Sequence, residues 1–161
     1  MKTFKKRFFQ SFKVLWIEFC TLFVRGRHEL YHLYKRQPIS PGFRERLMLV
    51  VTSVNGCRYC SYVHQKWAQA KEVSPEIVQE LLRSDFSQCP EREHRALQYA
   101  LYWAETEGKS DTDARQELTV HYTPEEISAI HLTLRLIRWG NLSSNKFDHF
   151  LYRISRGRWG N

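Results

Sequence analysis

Apolar residues recur at spacings of three and four along almost the whole chain, and nowhere does a stretch of β-branched residues alternate with period two between turn signals. Such a chain has helical stripes to bury, so the expected fold class is all-α. With 161 residues and 42% hydrophobic content it can build one real core and is short for two.

Glycine and proline then cut the pattern into elements. A first amphipathic helix is expected from about Phe4 to Val24, with Phe8, Phe12, Leu15, Phe19 and Phe23 on one stripe and Gly26 as its stop. A short helical piece with Tyr31, Leu33 and Tyr34 ends before Pro38. Pro41-Gly42 opens a helix whose buried face holds Leu47, Met48, Val50, Val51 and Val54, and Asn55-Gly56 supplies a left-handed stop. The next helix begins at the cysteines and runs to about Lys71. Ser74-Pro75-Glu76 reads as an N-cap followed by proline at the first helical position, Pro90 starts a helix through Trp103, and Thr123-Pro124 starts a long one that Gly140-Asn141 is expected to bend or interrupt. The organisation expected is an amino-terminal helical extension, 1–38, ahead of a helical domain, 39–161.

Charge is concentrated at the ends. The formal balance is +8, and Lys2, Lys5, Lys6, Arg7, Lys13, Arg25, Arg27, Lys35 and Arg36 crowd the beginning while Arg153, Arg156 and Arg158 crowd the end. The opening segment has the basic start of a signal peptide, but Lys13 and Glu18 interrupt its apolar run and no small-x-small site follows, so it is expected to be retained. Its apolar stretches are well short of the roughly 20 residues that span a bilayer. Four cysteines, two of them isolated, do not form the dense even set of a secreted disulfide scaffold, and a cytoplasmic, reducing compartment is expected.

The chemistry concentrates in Asn55-Gly-Cys-Arg-Tyr-Cys-Ser-Tyr-Val-His64. On a helix, Cys57, Cys60 and His64 are related by steps of three and four, which puts both sulfurs and the imidazole on one face. The pair lies in a first helical turn, where unpaired N–H groups and the helix dipole stabilise a thiolate. His64 can take or return a proton near neutral pH. Inert packing and half of a zinc site are the other readings of the pair; zinc needs a fourth ligand, from Cys89, His94 or elsewhere, and no second C-x-x-C exists. His28 and His32, at i and i+4, and the remaining histidines read as structural or surface residues. Cys20 reads as packing and Cys89 as a free thiol in a polar loop.

Glu45, the stretch RLMLVVTSVNGCRYCSYVH and the following QKWAQAKEVSPEIVQELL resemble the core of alkylhydroperoxidase D and its relatives in the carboxymuconolactone decarboxylase family. A Glu twelve residues before the first Cys, then C-x-x-C-x-x-x-H, then a short helix with a Ser/Pro/acidic start, are all in place. A looser similarity covers Ala96–Glu107 and Glu126–Phe147. The resemblance implies a helical homo-oligomer, commonly a trimer or hexamer, that reduces hydroperoxides with its dithiol and needs no bound cofactor. It implies that Cys60 attacks, Cys57 resolves the sulfenic acid to a disulfide, His64 and Glu45 relay protons, and a dithiol reductant resets the pair. Read from the residues alone, the two sulfur roles stay open, because the outermost place at a helix start favours Cys57 and proximity to His64 favours Cys60. Peroxidase-type members often carry a His directly before the second Cys; Tyr59 stands there, which moves the weight of the resemblance from peroxide turnover to dithiol redox chemistry.

The rival readings are a disulfide oxidoreductase or redox sensor, a lyase of the decarboxylase branch, and a zinc-holding structural module. For the basic aromatic segment 4–24 three uses compete. These are packing on the domain or a neighbouring subunit, peripheral contact with an anionic membrane, and, last, nucleic-acid binding, which no recognised reading module supports.

Overall fold

The protein is described here from a computed structural model covering residues 3–109 and 112–160. Lys2, counted above with the basic residues, lies outside the described residues. Among those described there are eight α-helices and no strand: α1 Phe12–Phe19, α2 Arg27–Lys35, α3 Pro41–Asn55, α4 Arg58–Gln69, α5 Pro75–Leu81, α6 Glu91–Glu105, α7 Thr112–His121 and α8 Pro124–Ile154, with a π-helical turn, Cys20–Arg25, joining α1 to α2. The all-α expectation is met.

The fold is built around α3. Ser40 caps it by accepting the Phe43 N–H, Pro41 occupies its first turn, and Gly56 closes it in the left-handed conformation at φ 68°. Ten of its fifteen residues are buried, because α8, α6 and α4 cover it from different sides. Leu47, Leu49, Val50 and Val51 are fully enclosed with Leu97 and Ala100 of α6 and Ile130 and Leu134 of α8. Each such aliphatic side chain removed from water stabilises the fold by about 1.5–3 kcal/mol. The helix can therefore hold polar side chains at fixed positions.

Two expectations are corrected. The first helix starts at Phe12, not Phe4, and residues 3–11 run as an irregular strap over the end of α8. The strap's carbonyls are used in tertiary bonds: Asn145 Nδ2 donates to Arg7 O at 2.8 Å and Lys146 Nζ to Phe9 O at 2.7 Å. Its aromatic rings go sideways, Phe8 stacking on His149 and Phe4 against Tyr152, while Phe9 is buried. The spacing of four between Phe4 and Phe8 thus reflects rings shared with α8 rather than a helical stripe, and Ser11 caps the shorter helix by accepting the Lys13 N–H. Further on, Phe19 and Phe23 pack on Trp139, whereas Phe12 and Trp16 face outward.

The second correction concerns Gly140-Asn141, which does not interrupt α8. The helix continues for 31 residues because Asn141 points inward and is fully buried in hydrogen bonds to α3. α7 was not anticipated. No described helix is long and apolar enough to cross a membrane.

Candidate functional site

The loop between α3 and α4 is only Gly56 and Cys57, so the end of the central helix fixes where α4 begins. Cys57 is the N-cap of α4: its backbone is extended and its sulfur accepts the Cys60 N–H at 3.2 Å. A serine or aspartate does this work in an ordinary helix. Here one of the four unpaired N–H groups of the first turn is spent on sulfur, and the dipole acts on the same atom. The two sulfurs are paired at disulfide distance, with Cα atoms 5.4 Å apart, a separation that a bridge can span. Cys57 is buried at 1% exposure, while Cys60, one turn into the helix, is half-buried.

One turn beyond Cys60, His64 is buried, and its Nδ1 lies 2.7 Å from Glu45 Oε2. Glu45 comes from the first turns of α3 and is 4% exposed, so it is no solvated charge although Arg44 and Arg46 flank it. A carboxylate at Nδ1 keeps the proton there and leaves Nε2 with its lone pair. The ring is held edge-on by Trp67 at 5.2 Å. Tyr59 and Tyr62 on the other side of α4 are exposed, as is Trp67, and Tyr59 lies beneath the Arg58 guanidinium. The four residues singled out from sequence are thus brought together as two linked pairs on adjacent helices.

The structure adds a second layer that sequence reading missed. Asn55, the last residue of α3, donates from Nδ2 to Asn141 Oδ1, and Asn141 Nδ2 donates in turn to Thr52 Oγ1, both at 3.2 Å. Asn145 Nδ2 donates to the Asn55 carbonyl at 2.8 Å. One helical turn on, the fully buried Asp148 accepts from Lys6 Nζ at 2.7 Å and Arg58 Nη2 at 3.1 Å. Burial works against the Arg58 charge, but Asp148 and the Tyr59 hydroxyl hold its pKa above the ordinary arginine value. Asn141, Asn145 and Asp148, at steps of four and three, form an inward polar stripe that grips the residues on both sides of Cys57. That spacing was the available signal, hidden by reading Gly140-Asn141 as a break.

The remaining cysteines stand apart. Cys20 is free and half-buried in the π-helical turn, and Cys89 is a free thiol in the loop before α6, as expected, with its side chain buried. Desolvation chiefly, with help from Glu93, Glu80 and Asp85 against Arg46, pushes the Cys89 thiol up to about 11. His28 and His32 lie with ring centroids 5.8 Å apart on α2. Among the described residues no group of three or more His, Cys, Asp and Glu is placed to share a metal ion.

No curated protein and no solved structure matches the chain. The model of the carboxymuconolactone decarboxylase family matches residues 21–105, from the π-helical turn to the end of α6, which takes in Glu45, Cys57, Cys60 and His64. It begins upstream of Pro38 and ends before the closing helix. With more than half of its length matched, including the whole motif helix and the helix that positions it, the chain belongs to the carboxymuconolactone decarboxylase family.

Proposed function

We propose that this family member is a dithiol redox enzyme of the alkylhydroperoxidase D type, reducing hydroperoxides or disulfides through Cys57 and Cys60. One observation carries the reading: a C-x-x-C pair joined at a helix start, with a buried, carboxylate-held imidazole one turn further along the same helix. Lyase chemistry has no use for that pair.

In the reduced state, His64 Nε2 takes the Cys60 proton. The Cys60 thiolate attacks the distal oxygen of a hydroperoxide, the O–O bond breaks, and the departing alkoxide is protonated from the imidazolium, leaving an alcohol and Cys60 sulfenic acid. Cys57 then attacks the Cys60 sulfur, water leaves, and the disulfide forms. An external dithiol returns two electrons and two protons. Cys60 is assigned the attack because it is the more exposed sulfur and shares a helix face with His64. Cys57, buried and already accepting an N–H, is placed to resolve and later to leave as a stabilised thiolate. With a disulfide substrate the same roles apply through a mixed disulfide.

Trapping of the sulfenic acid tests this. Cys60→Ser removes peroxide consumption and trapping together, whereas Cys57→Ser forms a trappable sulfenate at Cys60 and stalls after one turnover. A sulfenate on Cys57 in Cys60→Ser reverses the two roles. Retention of both thiols under peroxide and disulfide challenge, or stoichiometric zinc on the pair, sinks the redox reading.

A further inference from the structure

One cleft of the fold has no part in the dithiol site. It is an open cleft of about 640 Å³ between the π-helical turn, α2, α7 and the first half of α8. His131 stands in it, while Asn145, which holds the motif loop, is 14 residues further along α8, roughly 20 Å at 1.5 Å per residue. A cleft of this size is large enough for a small organic ligand.

Its lining combines an apolar floor with a predominantly basic rim. Leu22, Ile127 and Leu132 are buried beneath it. Arg25, Arg115 and Arg135 reach it from three different elements, and Glu29 is the one carboxylate in its described lining. Among the described residues none of the three arginine side chains has an ion pair or hydrogen bond, whereas Arg46, Arg58, Arg92, Arg95 and Arg138 each have an acidic partner. Three unpaired guanidiniums gathered over apolar side chains raise the local potential for an anion and offer forked donors that suit carboxylate and phosphate.

Two further features mark the cleft as built. Its wall is the π-helical turn, in which the Gly26 N–H bonds back to Thr21 O at 3.0 Å; a Cβ on Gly26 would lie 2.7 Å from Leu22 O, so the turn requires glycine there. Such turns are rare and are frequently found at functional sites. Facing it, His131 is brought down to about 4 by desolvation first and then by Arg115 and Arg135, which keeps a neutral imidazole under the charged rim.

We infer that this cleft binds a free single-chain amphipathic anion, with its carboxylate or phosphate head held by Arg25, Arg115 and Arg135 and its apolar body against Leu22, Ile127 and Leu132. The site is independent of the dithiol chemistry proposed above.

Calorimetric titration of the full-length protein with octyl phosphate tests it, with octanol and inorganic phosphate as controls and light scattering run in parallel. Octyl phosphate is expected to bind once per chain, at least tenfold more tightly than either control, each of which supplies half of the recognition. Arg115→Gln and Arg135→Gln should each weaken it about tenfold or more, the scale of one charge-assisted contact. Ser128→Trp, which fills the cleft from an exposed position, should abolish binding with the rim charges intact, and Cys57→Ser/Cys60→Ser should bind like the wild type. Equal binding of octanol, indifference to both arginine substitutions, or no uptake by a protein whose assembly dissociates in Arg115→Gln and Arg135→Gln overturns the inference; the last outcome would make the cleft a contact with a second copy.

Discussion

Lys6 and Asp148 meet at 2.7 Å although 142 residues separate them in the chain, and the carboxylate they share with Arg58 is completely buried. Asp148 therefore ties three things together: the amino-terminal strap, the second residue of the C-x-x-C motif, and the final helix. A buried carboxylate is costly to desolvate and is held in place by the cations that compensate it. The position of Cys57 is thus set partly by residues outside the matched segment 21–105.

Asp148→Asn should accordingly be among the most damaging single substitutions outside the dithiol site. It leaves Lys6, 14% exposed at its side chain, facing a neutral amide. We expect a loss of about 3 kcal/mol, the scale for breaking a buried pair, read as a lower urea midpoint at unchanged slope. The dithiol/disulfide equilibrium with glutathione should shift as well, because Arg58 is released next to both sulfurs. Lys6→Met, which leaves Arg58 in place, should cost less and shift that equilibrium less. A wild-type midpoint in Asp148→Asn would show that the contact does not hold the loop.

The motif was legible because its chemistry is local. Cys57, Cys60 and His64 are fixed to one face by helical spacing alone, and Asn55-Gly56 marks the end of the helix before them. Glu45 was reachable only through family spacing, since nothing in Arg-Glu-Arg says which side chain turns inward. The strap was misread because Phe4 and Phe8 keep a helical spacing for a tertiary reason, and the backbone that a helix would use is bonded to Asn145 and Lys146. Asn141 was misread because propensity counts Gly-Asn as a stop, whereas burial with satisfied hydrogen bonds overrides propensity. The paired acid of each arginine, and hence the unpaired set around the cleft, depends on contacts between distant segments that spacing does not encode.

Cys89 should be the slowest cysteine to react. With its thiol near 11, only about one molecule in a thousand is ionised at pH 8, and the sulfur is buried as well. In reduced, folded protein, alkylation followed by peptide mass spectrometry should label Cys60 at least a hundredfold faster than Cys89, with the gap closing in urea. Cys89 labelling should rise steeply with pH up to about 11, provided the fold persists. Equal rates for Cys89 and Cys60 at pH 8 would contradict its burial.

His131 makes a pH prediction with a definite sign. Its pKa falls from 6.5 to about 4 on folding, so between these values the unfolded chain binds the proton more readily. Stability should be undiminished above pH 6.5 and should fall as the pH drops through the window to about 4, by about 2 kcal/mol after allowance for solvent screening. Carboxylates also titrate near the lower end, so the comparison is with His131→Gln, which is neutral throughout. Urea titrations at pH 7.5, 5.5 and 4.5 should show a flatter profile for the variant, and parallel profiles would remove His131 as the source.

The Glu45–His64 pair yields the sharpest test of the proposed mechanism. Glu45 can only accept when ionised, so it holds the proton on Nδ1 and leaves Nε2 free to take one from Cys60. In Glu45→Gln the amide can donate to Nδ1 instead, which moves the imidazole proton to Nε2 and leaves no base on the sulfur side. Thiol oxidation by a small hydroperoxide should then slow by roughly 10²–10⁴-fold, the range for a positioned acid–base group. The disulfide should still form in the presence of diamide, which needs no peroxide chemistry. His64→Ala should be slowed to a similar degree, and the double variant should be no slower than the worse single one, because both residues act through the same imidazole. Both deficits should shrink as pH rises and the thiolate forms unaided. Wild-type rates in Glu45→Gln, or multiplied losses in the double variant, would mean that the 2.7 Å contact orders the two helices without serving the proton transfer.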